Sequence, residues 1–405
     1  MSNARYVRRM SPMERLSLVI HEAHRYHVDG VLEGRGALEP APLQAAIERA
    51  AQANPGIRVR LQGALGTSRW VDSGIAPQLR IMPLSDWDGS SERGARFLDE
   101  RFEPLRGGPI ADVLYVPCRD GQSRLVFRTA HAAIDGRGCM HWMGEVSRAL
   151  RGETLLGSPS RLRDVDVHAR YRNRLGAATP PLTAACLPIV SPSQQGRDPL
   201  RYIWRRVKLP QAVSHLLPKT AQFLAQWARR ERNGEVAFTV PVDYRGLRTD
   251  EMGLGNLTGY LRVDMPEDAT PRTLVRQLNE RLRAYADCRS FRGAGLMSWM
   301  PVSRLLARFR PMDARLLYEA QAGSPSGGLV SMGNVKLRDY DLPGFVATGI
   351  YGIPGAVGKL NVLFGNTEEG SPVLFTAPAA YNHEGQLDEL AEAYRRHFSG
   401  QESEA

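Results

Sequence analysis

Residues 111 to 150 spell out a complete unit of two strands, a turn and a helix. No other stretch restricts the folds open to this chain as much. "ADVLYVPCRDGQSRLVFRTAH" reads as two antiparallel strands joined at Asp120-Gly121, a dipeptide that takes the positive φ of a tight hairpin. From Arg137, "RGCMHWMGEVSRAL" places Met140, Met143, Val146 and Leu150 at three- to four-residue spacing, which predicts a helix leaving the turn. A hairpin running straight into an amphipathic helix calls for an α/β architecture in which helices cover a mostly antiparallel sheet.

The same mixed style runs through the chain. "SPMERLSLVIHEAH" opens a helix with Ser11 as N-cap and Glu14 three residues on. "YHVDGVLEGR" alternates as a strand. "EPAPLQAAIERAAQANPG" is a helix with prolines at its start and Pro55-Gly56 after its end, and "IRVRLQG" alternates again. Later, "YIWRRVKL", "GEVAFTVPVDYR", "GGLVSMGNVKL" and "SPVLFTAPAAY" read as strands, with "TPRTLVRQLNERLRAYAD" and "QLDELAEAYRRHF" as helices. The segment 176–200, rich in Pro, Ser and small residues, is the best linker. With 405 residues, more than one ordinary core holds, the expected organisation is an N-terminal subdomain 1–175, the linker 176–200 and a C-terminal subdomain 201–405.

Bulk properties narrow the function. No apolar run reaches the roughly 18 residues of a membrane span, and the N-terminus does not read as a signal peptide. Cys118, Cys139, Cys186 and Cys288 are scattered without metal or disulfide spacing, which fits a reducing cytoplasm. Net charge is +10, carried almost wholly by Arg, with Lys208, Lys219, Lys336 and Lys359 the only lysines. Guanidinium forks suit phosphate or carboxylate partners such as coenzyme A or a carrier protein. No nucleic-acid signature accompanies them. The Arg-dense "WARRERNG" and "RFRPMDARLL" read as solvated faces. His21, His24 and His27 straddle a change of element and do not form a metal site, and His141 reads as a packing or surface residue.

The chemistry-bearing stretch is "TAHAAIDGRG", residues 129–138. His131 falls at the end of the hairpin's second strand, where a side chain reaches a cleft. An imidazole there accepts and hands on a proton near neutral pH. Asp135 either pairs with His131 or caps the helix and braces the loop, and the spacing alone does not decide. Gly136 is expected to permit the tight turn.

"HAAIDG" resembles the HxxxDG motif of the condensation-domain and acyltransferase superfamily, which includes chloramphenicol acetyltransferase, the plant BAHD acyltransferases, polyketide-associated acyltransferases and the condensation domains of nonribosomal peptide synthetases. The likeness extends to "YHVDGVLEGRGALEPAPLQAAIERAAQANPGIRVRL", "FEPLRGGPIADVLYV" and "VPVDYRGLRTDEMGLGNLTGYLRV". It implies that His131 is the general base, that Asp135 points away from substrate to pair with Arg245, and that Gly255 and Asn256 line the cleft wall. "VSMGN", 330–334, resembles a strand motif that often reads Ser-Asn-x-Gly, which implies an oxyanion role for Ser331. Met332 stands where Asn is common. Ala130 replaces the first histidine of the HHxxxDG found in peptide-synthetase domains, and the BAHD DFGWG motif is absent.

The resemblance therefore implies two chloramphenicol acetyltransferase-like α/β subdomains related by a pseudo-twofold, with mixed, mostly antiparallel sheets flanked by helices and a tunnel between them. It implies an acyltransferase of specialised metabolism that takes its acyl group from acyl-coenzyme A or an acyl-phosphopantetheine carrier protein. The acceptor is a small amine or alcohol, and no metal or bound cofactor is needed. The rival expectation is an inactive relative that serves as a scaffold or docking partner for a synthase.

Overall fold

In the computed structural model, described over residues 6–182, 185–191, 201–290, 293–308, 324–355, 359–381 and 385–400, helix α1 (Pro12–Ala23) starts at a complete capping box. Ser11 Oγ accepts from the Glu14 amide at 3.2 Å, and Glu14 Oε2 accepts from the Ser11 amide at 2.9 Å. Glu14 is buried and also pairs with Arg8, whose second nitrogen donates to the Ala133 carbonyl at 3.2 Å. The start of α1 is thereby tied to the loop that follows the hairpin.

Two larger sheets carry the fold. The first runs β12-β2-β7-β6-β5, with β2 His27–Gly36, β5 Leu79–Ile81, β6 Ala111–Pro117, β7 Gln122–Ala130 and β12 Phe345–Pro354. It is antiparallel except at β5–β6. Gly121 supplies the hairpin's positive φ of 77°. The second sheet runs β10-β9-β11-β13-β14-β8, with β8 Tyr202–Leu209, β9 Ala237–Asp243, β10 Thr258–Asp264, β11 Gly327–Asn334, β13 Asn361–Asn366 and β14 Ser371–Pro378. There β11 is parallel to both its neighbours. A small sheet joins β1 (Val7–Arg9), β4 (Arg69–Asp72) and β3 (Val59–Gln62).

Helix α3 (Gly136–Leu150) lies on the first sheet beside α2 (Pro40–Ala53). Trp142 meets Phe127 edge-on with centroids 5.2 Å apart, and Met143 packs over Gly30 so closely that a Cβ there would sit 2.3 Å from its sulfur. Fully burying such large apolar side chains contributes about 1.5–3 kcal/mol each, so this contact holds α3, and the loop before it, to the sheet. In the second half, α4 (Leu216–Arg229) and the helix Gln386–Ser399 pack on the six-stranded sheet around Phe223, Phe375 and Tyr394.

The division at 176–200 is crossed. Strand β12 comes from the 201–405 segment, yet it pairs along β2 from Val28 to Gly36 in the first-half sheet. There it covers the edge of β2 that would otherwise present unpaired main-chain groups. Arg206 on β8 reaches Glu33 on β2 at 2.7 Å, and Glu33 also takes Arg124 at 2.8 Å, so one buried carboxylate pins both halves. Residues 183–184 and 192–200 of the expected linker lie outside the described residues, as does most of "RFRPMDARLL".

Candidate active site

A cavity of about 560 Å³ lies between the two halves. Helices α1 and α3 and strands β2 and β12 wall it on one side, and β9, β10, β11 and β13 on the other. His131 opens onto it from the end of β7. The imidazole is held on several sides. Its main-chain amide donates to the Tyr26 carbonyl at 3.2 Å, its carbonyl accepts from Asn256 Nδ2 at 2.9 Å, and its ring stacks on Tyr26 at 4.6 Å and 9°. Nδ1 is sealed from solvent without a partner among the described residues, so Nε2 is the nitrogen left to face the cavity. Burial lowers the pKa of His131, with its own carbonyl, Asp135 and Asn256 acting the other way. The ring is therefore neutral at neutral pH and able to take a proton.

Asp135 borders the cavity too, but both of its carboxylate oxygens are engaged by neighbouring main-chain and side-chain donors. It is the N-cap of α3, accepting from the Gly138 amide at 2.8 Å. Its two oxygens take Arg245 bidentately, at 3.1 Å each, and Oδ2 also accepts from the Leu257 amide at 2.9 Å and Thr258 Oγ1 at 3.1 Å. Arg245 spends its remaining donors on Asp243 and on the Gly253 and Gly255 carbonyls, at 2.7, 2.9 and 2.7 Å. One carboxylate thus ties the helix after His131 to the start of β10 in the other half.

Three expectations need correction. Gly136 has no positive φ, and a Cβ on it would meet nothing within 4 Å, so the turn does not demand glycine there. It borders the cavity instead. The glycine under constraint is Gly138, where a Cβ would lie 2.2 Å from the Leu254 carbonyl. Gly255 and Asn256 do not line the cavity: Asn256 holds His131 from behind, and Gly255 backs onto the Arg8 guanidinium.

Ser331 and Met332 both border the cavity on β11. The Ser331 oxygen accepts from the Gly333 amide at 3.2 Å across a bulge, which leaves its own hydrogen free to be donated. Tyr26, Arg137 and Lys359 also border the cavity and were not picked out from the sequence. No local signal marked Tyr26, which read only as the first residue of the strand "YHVDGVLEGR". His27 is the cross-strand neighbour of Ala130 and stacks on His21 at 5.3 Å, with both ring nitrogens buried and unpartnered. Among the described residues, no three His, Cys, Asp or Glu side chains cluster as metal ligands, and no helix is long and apolar enough to cross a membrane.

The paired α/β halves, the crossing strand and the cavity between them define the condensation-domain fold. The first condensation domain of the CDA synthetase superposes with a TM-score of 0.66 at 18% identity, covering 98% of this chain and 96% of that one. The condensation domain of the monacolin K polyketide synthase MokA gives 0.62 at 12% identity, with 98% of each chain covered. A variant of the starter condensation domain of rhizomide synthetase RzmA, in complex with C8-CoA, gives 0.62 at 15% identity over 97% of this chain and 94% of that one. No protein-family model and no curated protein sequence matches the chain.

Proposed function

We propose that this protein transfers an acyl group from a thioester to an amine or hydroxyl acceptor, with His131 as the general base. The carrying observation is the placement of a neutral imidazole, stacked on Tyr26 and clamped by Asn256, on a cavity shared by both halves. In this reading Nε2 takes the proton from the acceptor N–H or O–H as the nucleophile adds to the thioester carbonyl. The tetrahedral intermediate then expels the thiolate, which leaves as thiol after receiving that proton from the imidazolium. In the same reading the Ser331 hydroxyl, which borders the cavity on β11 with its hydrogen unused by its bond from the Gly333 amide, donates to the oxyanion. Thioesters are already activated, so base catalysis and positioning supply the rate.

Coenzyme A thioesters are the first donors to try, since a domain of the same fold holds C8-CoA. A phosphopantetheine carrier protein offers the same arm. The test is thiol release from octanoyl-coenzyme A with mixed amine and alcohol acceptors. Acceptor-dependent release should fall by about 10²–10⁴ in His131→Ala. Because burial lowers the pKa of His131, kcat/KM should hold its plateau below pH 6.5 and fall only at more acidic pH. Equal background from both proteins over coenzyme A and carrier-bound donors would refute this reading and favour a scaffold.

A further inference from the structure

Lys359 is the anomaly of the cavity. It is only 5% exposed and borders the cavity just before β13. Among the described residues, one of its three donors is used, toward the Cys186 carbonyl at 3.1 Å. No carboxylate faces it among the described residues, and Arg232 lies near enough to oppose its charge. Most other deeply buried cations are more fully engaged. Arg8, Arg124 and Arg128 each meet a carboxylate, and Arg15 places both terminal nitrogens on the Leu65 carbonyl, Ser68 Oγ and the Met300 carbonyl. A buried ammonium without a counter-charge costs several kcal/mol and is retained only where something repays it. Burial lowers the pKa of Lys359, as it does for a lysine taken out of water.

Its surroundings are polar on the same wall. Thr239 and Asn361 both pair with Gly328 and border the cavity, and a Cβ on Gly328 would overlap Asn361 Oδ1 at 2.3 Å. The wall from the first half is richer in apolar side chains, with Met13, Leu16, Ile20, Met140 and Met143. An elongated ligand with an apolar body and one anionic end matches that arrangement.

We propose that Lys359 is a carboxylate-recognising residue of this cavity, so that one of the two substrates carries a carboxylate remote from the reacting atoms. The assignment to a substrate rests on the acyl-transfer reading; the binding site itself does not. A single ammonium without a guanidinium fork or a helix N-terminus suits a monoanion better than a phosphate.

Calorimetric titration of the full chain with octanoate and with octanamide tests this without turnover. Octanoate should bind about tenfold tighter than the amide, Lys359→Met should abolish the difference, and Lys359→Arg should keep most of it. Lys359→Gln serves if the methionine variant is not folded by circular dichroism. Equal binding of the two probes, binding of neither, or a preference that survives in Lys359→Met or Lys359→Gln overturns the proposal. A third arm uses 4′-phosphopantetheine: if loss of Lys359 weakens that probe and leaves octanoate unchanged, the anion is the donor's phosphate and the carboxylate assignment is wrong. Octanoate selectivity in a protein that releases no thiol would refute the catalytic reading alone.

Discussion

Asp135→Asn is the substitution that best separates a bracing role from a catalytic one. Asparagine caps a helix about as well as aspartate, so the bond from the Gly138 amide survives and the cap itself loses little. What is lost is the charge between Arg245 and the start of β10. The new amide group presents hydrogens where Oδ2 accepted from Arg245, the Leu257 amide and Thr258 Oγ1. Breaking one side of a buried ion pair costs about 3–5 kcal/mol. Asp243 remains 2.7 Å from the guanidinium, which places the expected loss near the lower end, about 3 kcal/mol. Against a total native stability of roughly 5–15 kcal/mol this is a large fraction. Urea unfolding followed by tryptophan fluorescence reads it as a lower midpoint. Replacing both partners, as Asp135→Leu with Arg245→Met, should recover more than half of that loss, because no buried charge is then left alone. Under conditions where Asp135→Asn is folded, its acceptor-dependent thiol release should exceed that of His131→Ala. A loss below about 1 kcal/mol, or unchanged stability with activity as low as in His131→Ala, would refute the brace and make Asp135 a direct partner of the imidazole.

Two further outcomes follow from the packing. Gly138→Ala should destabilise by about 2 kcal/mol or more in the same unfolding assay, since its Cβ has nowhere to go beside the Leu254 carbonyl, whereas Gly136→Ala should leave the midpoint unchanged and shift KM. His27 gives a pH dependence. Its pKa is held well below 6.5 by burial, with Arg25, His21, Arg128 and Arg101 adding to the effect. The unfolded chain thus binds that proton first, so the stability from this group is present above pH 6.5 and is lost as pH falls toward the folded pKa. Between pH 7.5 and 5.5, His27→Phe should lose less in Tm than the unaltered protein; an equal or larger loss would show that His27 is not buried as a neutral ring.

The elements were legible where local chemistry is strong. The capping box at Ser11, the Asp120-Gly121 hairpin and the apolar stripe of α3 are each set by residues within a few positions of one another, and each appears where the pattern places it. Strands β12 and β13 were missed. "FVATGIYGIP" and "NVLFGN" are short and glycine-interrupted, and they draw their order from neighbours far away in the chain. Helix α4 was hidden because its Arg-rich end read only as a solvated face.

Backbone preference and side-chain periodicity are local, so short stretches of residues already set the α/β class, the place of His131 at a strand end and the Asp-Gly step into a helix. Which groups meet is the work of tertiary structure. It brought Arg245 onto Asp135 across 110 residues, laid Tyr26 against the imidazole, moved β12 into the first-half sheet and left Lys359 buried on the cavity without a carboxylate. Those outcomes depend on burial and on distances between remote segments, and no window of neighbouring residues contains either quantity.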